Sequence, residues 1–315
     1  MVSLGLSASP VLSHDLSYVT SFFVMFSVLR SEVDELITNS VSGSTLAVYE
    51  HNKQKYRQFC RDMGMEATGR QCGESVELYM AHLCRQGLAY STIQSHLSAV
   101  RHLFRTLGAP LCFDTDRLKL LLQGIKRQAS KPRNSKFAVT PSHLLRLRDA
   151  AAGMGGVSAL RFRAMIGCAF YGFLRPSEYC VTARSHHLRV KDVRFAKDGR
   201  SCCFTFRSFK HSKVPAVVRM SDLPGEPLRP VTVLQRYIAV SGRKGCEALF
   251  DVSAQEFSNL LARMCHMARI KTKLTPHSFR HGGATWAVKQ GWTVTQIQTH
   301  GRWRSNAYLR YINPY

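Results

Sequence analysis

The sequence lacks several signatures that would assign it to common functional classes. Its ten cysteines include no C-x-x-C pair, the spacing of many zinc sites, and a G-x-x-x-x-G-K-[ST] nucleotide loop is absent. The apolar run at residues 18–29 is too short to span a bilayer, and no basic region precedes it. We therefore expect neither a membrane protein nor a secreted one. A cytosolic or nuclear protein with buried, reduced cysteines is predicted.

Acidic residues are also scarce. The 315 residues include 44 Lys and Arg but only 20 Asp and Glu, which gives a formal net charge of +24. Residues 257–315 contain no acidic residue and nine basic ones. Because charge of one sign repels itself, such a chain favours a polyanionic partner, and nucleic acid releases counterions when it is bound. A nucleic-acid-binding protein is predicted, and charge alone leaves an RNA-coating protein as the alternative.

The order of helical and strand-like segments predicts two domains. Residues 1–41 are a leader or an extra helix, and residues 42–125 contain four helices without a convincing strand. Residues 126–139 are a basic linker, either a phosphate-binding segment or a plain solvated hinge. Its candidate DNA-binding residues are Lys126, Arg127, Lys131, Arg133 and Lys136. In residues 140–315, helices flank three strand-like runs with a hairpin turn at residues 197–199. The predicted fold class is mainly α with a small antiparallel sheet.

The C-terminal half lacks the acidic pairs of general acid–base or Mg²⁺-dependent catalysis. His277 and His281 have the i, i+4 spacing of zinc ligands, but the glutamate of H-E-x-x-H is missing. No metal and no other cofactor are therefore predicted. Arginine, histidine, lysine and tyrosine are abundant near helix boundaries instead. Guanidinium groups can stabilise charge on a phosphate, and a tyrosine hydroxyl can form a phosphoester, so this inventory fits metal-free phosphoryl transfer.

Five segments occur in an order that resembles the catalytic domain of the tyrosine recombinases, the phage-integrase-like family. They are GFLRPSEY, FKHSK, HSFRHGGATW, GRW and a closing YI. Within that family the chain resembles recombinases of eukaryotic mobile elements of the DIRS, Ngaro and Crypton kinds. Residues 42–125, notably STLAVYEHNKQKYRQFC, are similar to the family's helical core-binding domain, a SAM-like DNA-binding domain. The resemblance implies a mixed α+β catalytic domain at residues 140–315.

The resemblance also implies catalytic roles. Arg175 and Arg280 would clamp the scissile phosphate, and His277 would hydrogen-bond that phosphate or relay the tyrosine proton. Lys210, directly after a strand-like run, would protonate the leaving 5′ oxygen, and Lys213 is the alternative.

The resemblance also implies a nucleophilic tyrosine and, before it, a His or Trp that follows a glycine-rich turn. Trp303 would donate its N–H to a phosphate oxygen, and Tyr311, eight residues later, would be the nucleophile. His300 and Tyr308 have the same spacing and form the alternative pair. Trp303 with Tyr311 is favoured because Ile312 follows Tyr311, as in the active-site helix of the family.

The surroundings of Arg175 follow the family pattern with one departure. Glu178, three residues on, matches the acidic residue that orients the site. The glycine that precedes the arginine is Gly172, one position further away than in many bacterial members.

The activity implied is that of a site-specific DNA recombinase or integrase that uses a 3′-phosphotyrosyl intermediate without metal or ATP. Its partners would be double-stranded DNA and further copies of itself, as a homodimer or homotetramer, and it would act in the nucleus. The alternative is a catalytically inactive DNA-binding protein derived from a mobile element. A type IB topoisomerase shares the chemistry, but the recombinase-like segment at residues 42–125 argues against it.

Overall fold

The computed structural model of this protein describes residues 15–68, 72–128, 137–182, 187–207, 214–303 and 305–311. The chain divides into two compact units, Met1–Arg133 and Asn134–Tyr315. Helices dominate both, and the described strands form one three-stranded antiparallel sheet in the second unit. The predicted fold class, mainly α with a small antiparallel sheet, is confirmed. Within the described ranges, no helix is both long and apolar enough to cross a membrane.

The first unit consists of five described helices. They are α1 (Asp15–Thr38), α2 (Gly43–Asp62), α3 (Cys72–Arg85), α4 (Tyr90–Thr106) and α5 (Asp116–Gln128). Helix α1 lies within residues 1–41, for which a leader or an extra helix was predicted. The cap of α2 is Ser42, whose hydroxyl accepts a hydrogen bond from the backbone N–H of Thr45 at 3.3 Å. The helix therefore begins directly after Ser42.

The core of the first unit is built around tyrosines from α2 and α3. Tyr56 is fully buried, and its hydroxyl lies 2.8 Å from that of Ser75. Tyr79 is buried beside it, with its hydroxyl 2.8 Å from Nδ1 of His96 on α4. Because each buried hydroxyl has a polar partner, these rings contribute apolar area without leaving an unsatisfied group.

The cysteines of the first unit correct a prediction. Cys72 and Cys112 form a disulfide bond across 40 residues of chain, whereas all cysteines were expected to be reduced. The bond joins the first residue of α3 to the segment between α4 and α5. Sequence spacing could not reveal it, because the two positions meet only when α3 and α4 pack together.

The second unit opens with helices and places its sheet in the middle of the chain. Its elements are α6 (Pro141–Ala150), a 3-10 turn (Ala151–Met154), α7 (Gly156–Tyr171), α8 (Pro176–Tyr179), a 3-10 turn (Val190–Asp192), β1 (Val193–Phe195), β2 (Ser201–Phe206), β3 (Ala216–Ser221), α9 (Pro230–Ser241), α10 (Ala254–Met267), α11 (Ser278–Lys289), α12 (Val294–Gly301) and a 3-10 turn (Asn306–Arg310). Thr140 caps α6 by accepting the His143 N–H at 3.2 Å, and Pro141 occupies the first helical position. A capping threonine followed by proline is typical of a helix start.

The sheet has the order β1-β2-β3, with both pairings antiparallel. Gly199 adopts a φ of 66° in the turn between β1 and β2, at the hairpin that the sequence predicted. Alternate side chains of β2 are buried, so one face of the strand packs on the core. Residues 208–213, which carry both candidate lysines, lie outside the described residues.

Helix α7 forms the centre of the second unit and packs against α9 and α11. Every residue from Ala164 to Tyr171 is buried, as expected for a helix half that is apolar around its circumference and surrounded by the core. Two consecutive glycines of α11 allow this helix to lie very close to the backbone of Val139 and of Phe170 on α7. A Cβ atom on Gly282 would lie 2.0 Å from the Val139 carbonyl oxygen, and one on Gly283 would lie 2.1 Å from that of Phe170. The glycine pair thus positions α11.

Candidate active site

The first part of the site is the turn that leads from α7 into α8. Arg175 is the residue before α8, and Pro176 occupies the first helical position. Phe173 adopts a φ of 47°, which is unusual for a residue with a side chain. Many bacterial members of the resembled family have their glycine at this position, two residues before the arginine, whereas here the glycine is Gly172. The turn therefore carries backbone strain that its surroundings must stabilise.

Glu178 holds this turn together from its third helical position. One carboxylate oxygen accepts the backbone N–H of Arg175 at 2.7 Å, and the other accepts the Arg175 guanidinium at 2.9 Å. Arg302 donates to the first of these oxygens at 2.7 Å. Burial alone would raise the pKa of Glu178, but the charges of Arg302, Arg175 and Arg280 lower it below its ordinary value. Glu178 is therefore a buried carboxylate shared by two arginines.

The second part of the site is the N-terminal end of α11. His277 is the residue before the helix, and Arg280 lies in its first turn. The Tyr179 hydroxyl of α8 donates to the Pro276 carbonyl at 2.9 Å, which ties this helix start to the Arg175 turn. The two sequence motifs, about 100 residues apart, are therefore neighbours in the fold.

Arg280 is completely buried. Its guanidinium donates to the carbonyl of Phe173 and, at 2.6 Å, to that of Gly301, while Nε has no hydrogen-bond partner within the described chain. Burial, followed by the like charges of Arg175 and Arg302, lowers the pKa of Arg280 to about 9. The group therefore stays charged at neutral pH, as an arginine that stabilises an anion must.

Trp303 covers the Arg280 guanidinium. The Arg280 Cζ atom lies 4.1 Å from the centre of the indole ring, a cation–π contact. A Cβ atom on Gly301 would lie 1.7 Å from the same ring, so glycine is needed there for the indole to fold back over the end of α12. The G-R-W sequence thus places Trp303 against Arg280.

Tyr311 lies at the same place. Its hydroxyl is 3.1 Å from Nε2 of His277, and its ring centre is 5.6 Å from Cζ of Arg280. The Tyr311 and Trp303 rings are 5.1 Å apart. The Thr285 hydroxyl lies 2.9 Å from the Tyr311 carbonyl oxygen, so α11 also contacts the tyrosine backbone.

His300 and Tyr308, the alternative pair, lie elsewhere in the core. The His300 Nε2 donates to the Tyr171 carbonyl at 2.8 Å, and its ring packs edge-on against Phe173 and Trp292. Burial, more than any other cause, lowers the pKa of His300 to about 4, so the imidazole is neutral at physiological pH. Tyr308 is buried within the apolar core of the unit. The structure therefore gathers Trp303 and Tyr311 around Arg280, and not this pair.

The other predicted site residues fall at the edge of the described chain or beyond it. Lys126 and Arg127 are exposed in the last turn of α5. The candidates outside the described residues are Lys131, Arg133, Lys136, Lys210 and Lys213.

Sequence reasoning did not single out Arg302 or Thr285. Arg302 appeared as one of nine basic residues in a stretch without acidic ones, and nothing in that pattern separated a buried arginine from exposed ones. The G-R-W context carried a signal, because a residue between a helix-ending glycine and a packed tryptophan has little freedom to face solvent. Thr285 lies five residues after Arg280, at a position that only the fold brings to Tyr311.

The arrangement suits anion chemistry. Three guanidinium groups, those of Arg175, Arg280 and Arg302, surround one carboxylate, so the cluster carries a net positive charge. The Tyr311 phenol, which is hydrogen-bonded to the His277 imidazole, lies beside this cluster, with its ring centre 5.6 Å from the Arg280 Cζ. Among the described residues, no group of three or more His, Cys, Asp or Glu side chains could hold a metal ion. Such a site can bind a phosphate beside a nucleophile whose proton has an acceptor.

Comparison with known proteins gives consistent matches. Residues 138–313 match the Phage integrase family. Tyrosine recombinase XerD of Rhizobium meliloti (strain 1021) is 25% identical over 289 residues, which cover 90% of this chain and 85% of that protein.

The fold is also similar to that of solved structures at low sequence identity. The Tn1549 transposon integrase in complex with transposon right end DNA aligns with a TM-score of 0.63 at 16% identity, over 88% of this chain and 91% of that one. A lambda integrase dimer bound to a COC′ core site aligns with a TM-score of 0.62 at 15% identity, over 91% and 95%. XerH recombinase bound to palindromic difH substrate gives a TM-score of 0.60 at 13% identity, over 84% and 75%.

Proposed function

This chain belongs to the phage integrase family of tyrosine recombinases, and from that premise we propose that it cleaves and rejoins DNA with Tyr311 as the nucleophile. The observation that carries the proposal is the contact between Tyr311 and His277. The phenolic oxygen lies 3.1 Å from the His277 Nε2, directly beside the buried Arg280 guanidinium. A nucleophile, a proton acceptor and a phosphate-binding cation therefore converge at one point.

The proposed first step is attack of the Tyr311 oxygen on the scissile phosphorus. The bond from phosphorus to the 5′ oxygen breaks, and a 3′-phosphotyrosyl ester forms. His277 takes the phenolic proton, and a lysine from residues 208–213 gives a proton to the leaving 5′ oxygen. Arg175 and Arg280 stabilise the charge on the non-bridging oxygens. A 5′ hydroxyl from another strand then reverses the reaction, so neither ATP nor a metal is consumed.

Trapping of the covalent intermediate tests this proposal directly. The wild-type chain is incubated with a pool of nicked duplexes of randomised central sequence, in which the short cleaved strand diffuses away and prevents religation. We expect a protein–DNA adduct on a denaturing gel, absent for Tyr311→Phe and retained for Tyr308→Phe. An adduct that survives Tyr311→Phe but disappears with Tyr308→Phe would reject the assignment of the nucleophile. DNA binding without any adduct would support an inactive DNA-binding protein instead.

The identity of the general acid is tested with a second substrate. A duplex in which sulfur replaces the bridging 5′ oxygen releases a thiolate, which leaves without proton donation. We expect Lys210→Ala to be slow on the normal duplex and restored on the sulfur-containing one, with Lys213→Ala close to wild type on both. The reverse behaviour of the two variants would assign the role to Lys213.

We propose double-stranded DNA as the partner, bound in part by the basic linker. Lys126 and Arg127 extend this basic segment into the exposed last turn of α5. Each phosphate contact that is lost should reduce the slope of log affinity against log salt by about 1. The double variant Lys126→Ala/Arg127→Ala should therefore lower that slope by about 2. Lys119→Ala serves as control, since Lys119 on the same helix is paired with Asp116 at 2.8 Å.

We further propose, from the resemblance alone, that the chain is a recombinase of DIRS, Ngaro or Crypton elements, and that it acts in the nucleus as a homodimer or homotetramer. Sequencing of the DNA in the adducts from the randomised pool tests the proposed number of subunits. An inverted-repeat consensus is expected, because two symmetry-related subunits would bind two half-sites. A single, asymmetric consensus would argue for a monomer.

A further inference from the structure

Arg302 combines two unfavourable features in one residue. It follows α12 in the left-handed conformation, with φ 55° and ψ 45°, where glycine or asparagine is usual. Its side chain is also 2% exposed, although an arginine loses hydration when it is buried. A residue that is unfavourable in both backbone and burial indicates that the guanidinium itself is needed at this position.

Two contacts of Arg302 reach the segment from Phe173 to Glu178 that carries Arg175. Its guanidinium donates to the Glu178 carboxylate at 2.7 Å and to the Phe173 carbonyl at 3.3 Å. A second nitrogen donates to the His300 carbonyl at 3.1 Å, and Cζ lies 4.4 Å from the centre of the Phe206 ring. These contacts fix the guanidinium on several sides.

Two of the acceptors are shared with the proposed phosphate-binding arginines. The second oxygen of Glu178 accepts from Arg175 at 2.9 Å, and the Phe173 carbonyl also accepts from Arg280. Arg175 is the more accessible of the two partners of Glu178, with its side chain 18% exposed against 2% for Arg302. Arg302 is thus placed behind the carboxylate, and Arg175 lies on the side nearer to solvent.

We propose that Arg302 is a positioning residue for DNA cleavage, which holds Glu178 so that the carboxylate in turn orients Arg175 toward the scissile phosphate. This inference rests on the proposed function. Arg302 does not need to contact DNA. Without the Arg302 guanidinium, the Glu178 carboxylate can rotate toward Arg175 or Arg280, and Arg175 loses its orientation toward the phosphate.

The test compares single-turnover rates of adduct formation with equilibrium affinity for the same nicked duplex. Arg302→Met removes the charge but keeps a long side chain in the same backbone conformation. We expect its rate to fall about 10- to 100-fold, as is typical when the outer partner of an active-site group is lost. Its DNA affinity should stay within about 2-fold of wild type, and Arg302→Lys should recover much of the rate. Arg269→Met is the matched control, since Arg269 also has a left-handed backbone, with φ 52°, but is exposed.

Two further measurements separate this role from a purely structural one. If Arg302 acts through Glu178, the double variant Arg302→Met/Glu178→Gln should be no slower than Glu178→Gln alone. The defect of Arg302→Met should also persist on the duplex with a sulfur leaving group, because the clamp and not proton donation is impaired. Multiplicative losses in the double variant, or full recovery on the sulfur-containing duplex, would overturn the inference.

The outcomes also separate this inference from the proposed function. Adduct formation by wild type at a rate unchanged in Arg302→Met would reject the inference alone. Complete absence of an adduct with wild-type protein would reject the proposed function and the inference together. Thermal unfolding of each variant identifies one that has merely lost its fold, and Arg302→Lys then provides the decisive comparison.

Discussion

The glycine pair of α11 allows a quantitative test of how the site is assembled. In Gly283→Ala, the new Cβ would lie 2.1 Å from the Phe170 carbonyl oxygen and 2.7 Å from the Phe173 ring. The first neighbour is backbone of α7, which no side-chain rotation can move. The helix α11 must therefore shift away from α7, and Arg280, three residues earlier on α11, must move with it.

The expected loss follows from these distances. Introducing atoms into a packed core costs about 1–3 kcal/mol, and contact with rigid backbone favours the upper value. For a unit the size of Asn134–Tyr315, about 3 kcal/mol corresponds to a fall in Tm of about 6–12 °C. Gly153→Ala is the control, because its Cβ would make an ordinary contact at 3.8 Å with Met267. It should leave Tm nearly unchanged.

The three tryptophans provide a specific assay. Trp286, Trp292 and Trp303 all lie in the second unit, so thermal unfolding followed by tryptophan fluorescence reports on that unit alone. Adduct formation by Gly283→Ala should also be slower, since the Phe173 carbonyl that accepts from Arg280 belongs to the displaced turn. A Tm within about 1 °C of wild type would refute the close approach of α11 and α7 and the argument built on it.

Three other changes have defined outcomes. Glu178→Gln should lower the free energy of unfolding of the second unit by about 3–5 kcal/mol at neutral pH, because it leaves buried arginine charge uncompensated. Since the pKa of Glu178 is lowered in the fold, this contribution is complete above the unfolded-state pKa of about 4.3 and is lost as pH falls through the lower folded-state pKa. A difference in unfolding free energy between wild type and variant that does not narrow in acid would contradict it. His300 has a pKa of about 4 in the fold and about 6.5 in the unfolded chain, so its contribution to the free energy of unfolding should be complete above pH 6.5 and decline by about 2–3 kcal/mol as pH falls toward 4. His300→Gln should reduce this pH dependence in unfolding followed by tryptophan fluorescence. Reduction of the disulfide between Cys72 and Cys112 should destabilise the first unit by about 4 kcal/mol, measured by circular dichroism in denaturant. The unfolding transition followed by tryptophan fluorescence should not change, and Cys112→Ser should remove any effect of reductant.

Local signals in the sequence predicted the element types, and the family resemblance named the segments that meet in the candidate site. The hairpin turn at residues 197–199 depends on neighbouring residues alone, and it is present in the structure. The choice of Trp303 and Tyr311 came from the family resemblance and from Ile312 after Tyr311, and both side chains lie against Arg280 in the structure.

Features that depend on the packing of distant segments were not predictable. The disulfide joins Cys72 to Cys112 only because α3 and α4 pack together, and it overturned the expectation of reduced cysteines. The buried position of Arg302 depends on Glu178, which is more than 120 residues away in the chain. The role of Gly283 becomes visible only once Phe170 is known to lie against it.

The hydrogen bond between Thr285 and the Tyr311 backbone has a consequence for mixtures of subunits. Because α11 carries Arg280 and also contacts the tyrosine's own main chain, the phenol and the guanidinium of a single copy are held together. On the proposed function, we therefore expect each polypeptide to use its own Tyr311 beside its own Arg280 and to supply no nucleophile to a neighbouring copy. Two defective copies, one without the phenol and one without the guanidinium, would fail to complement each other in trans.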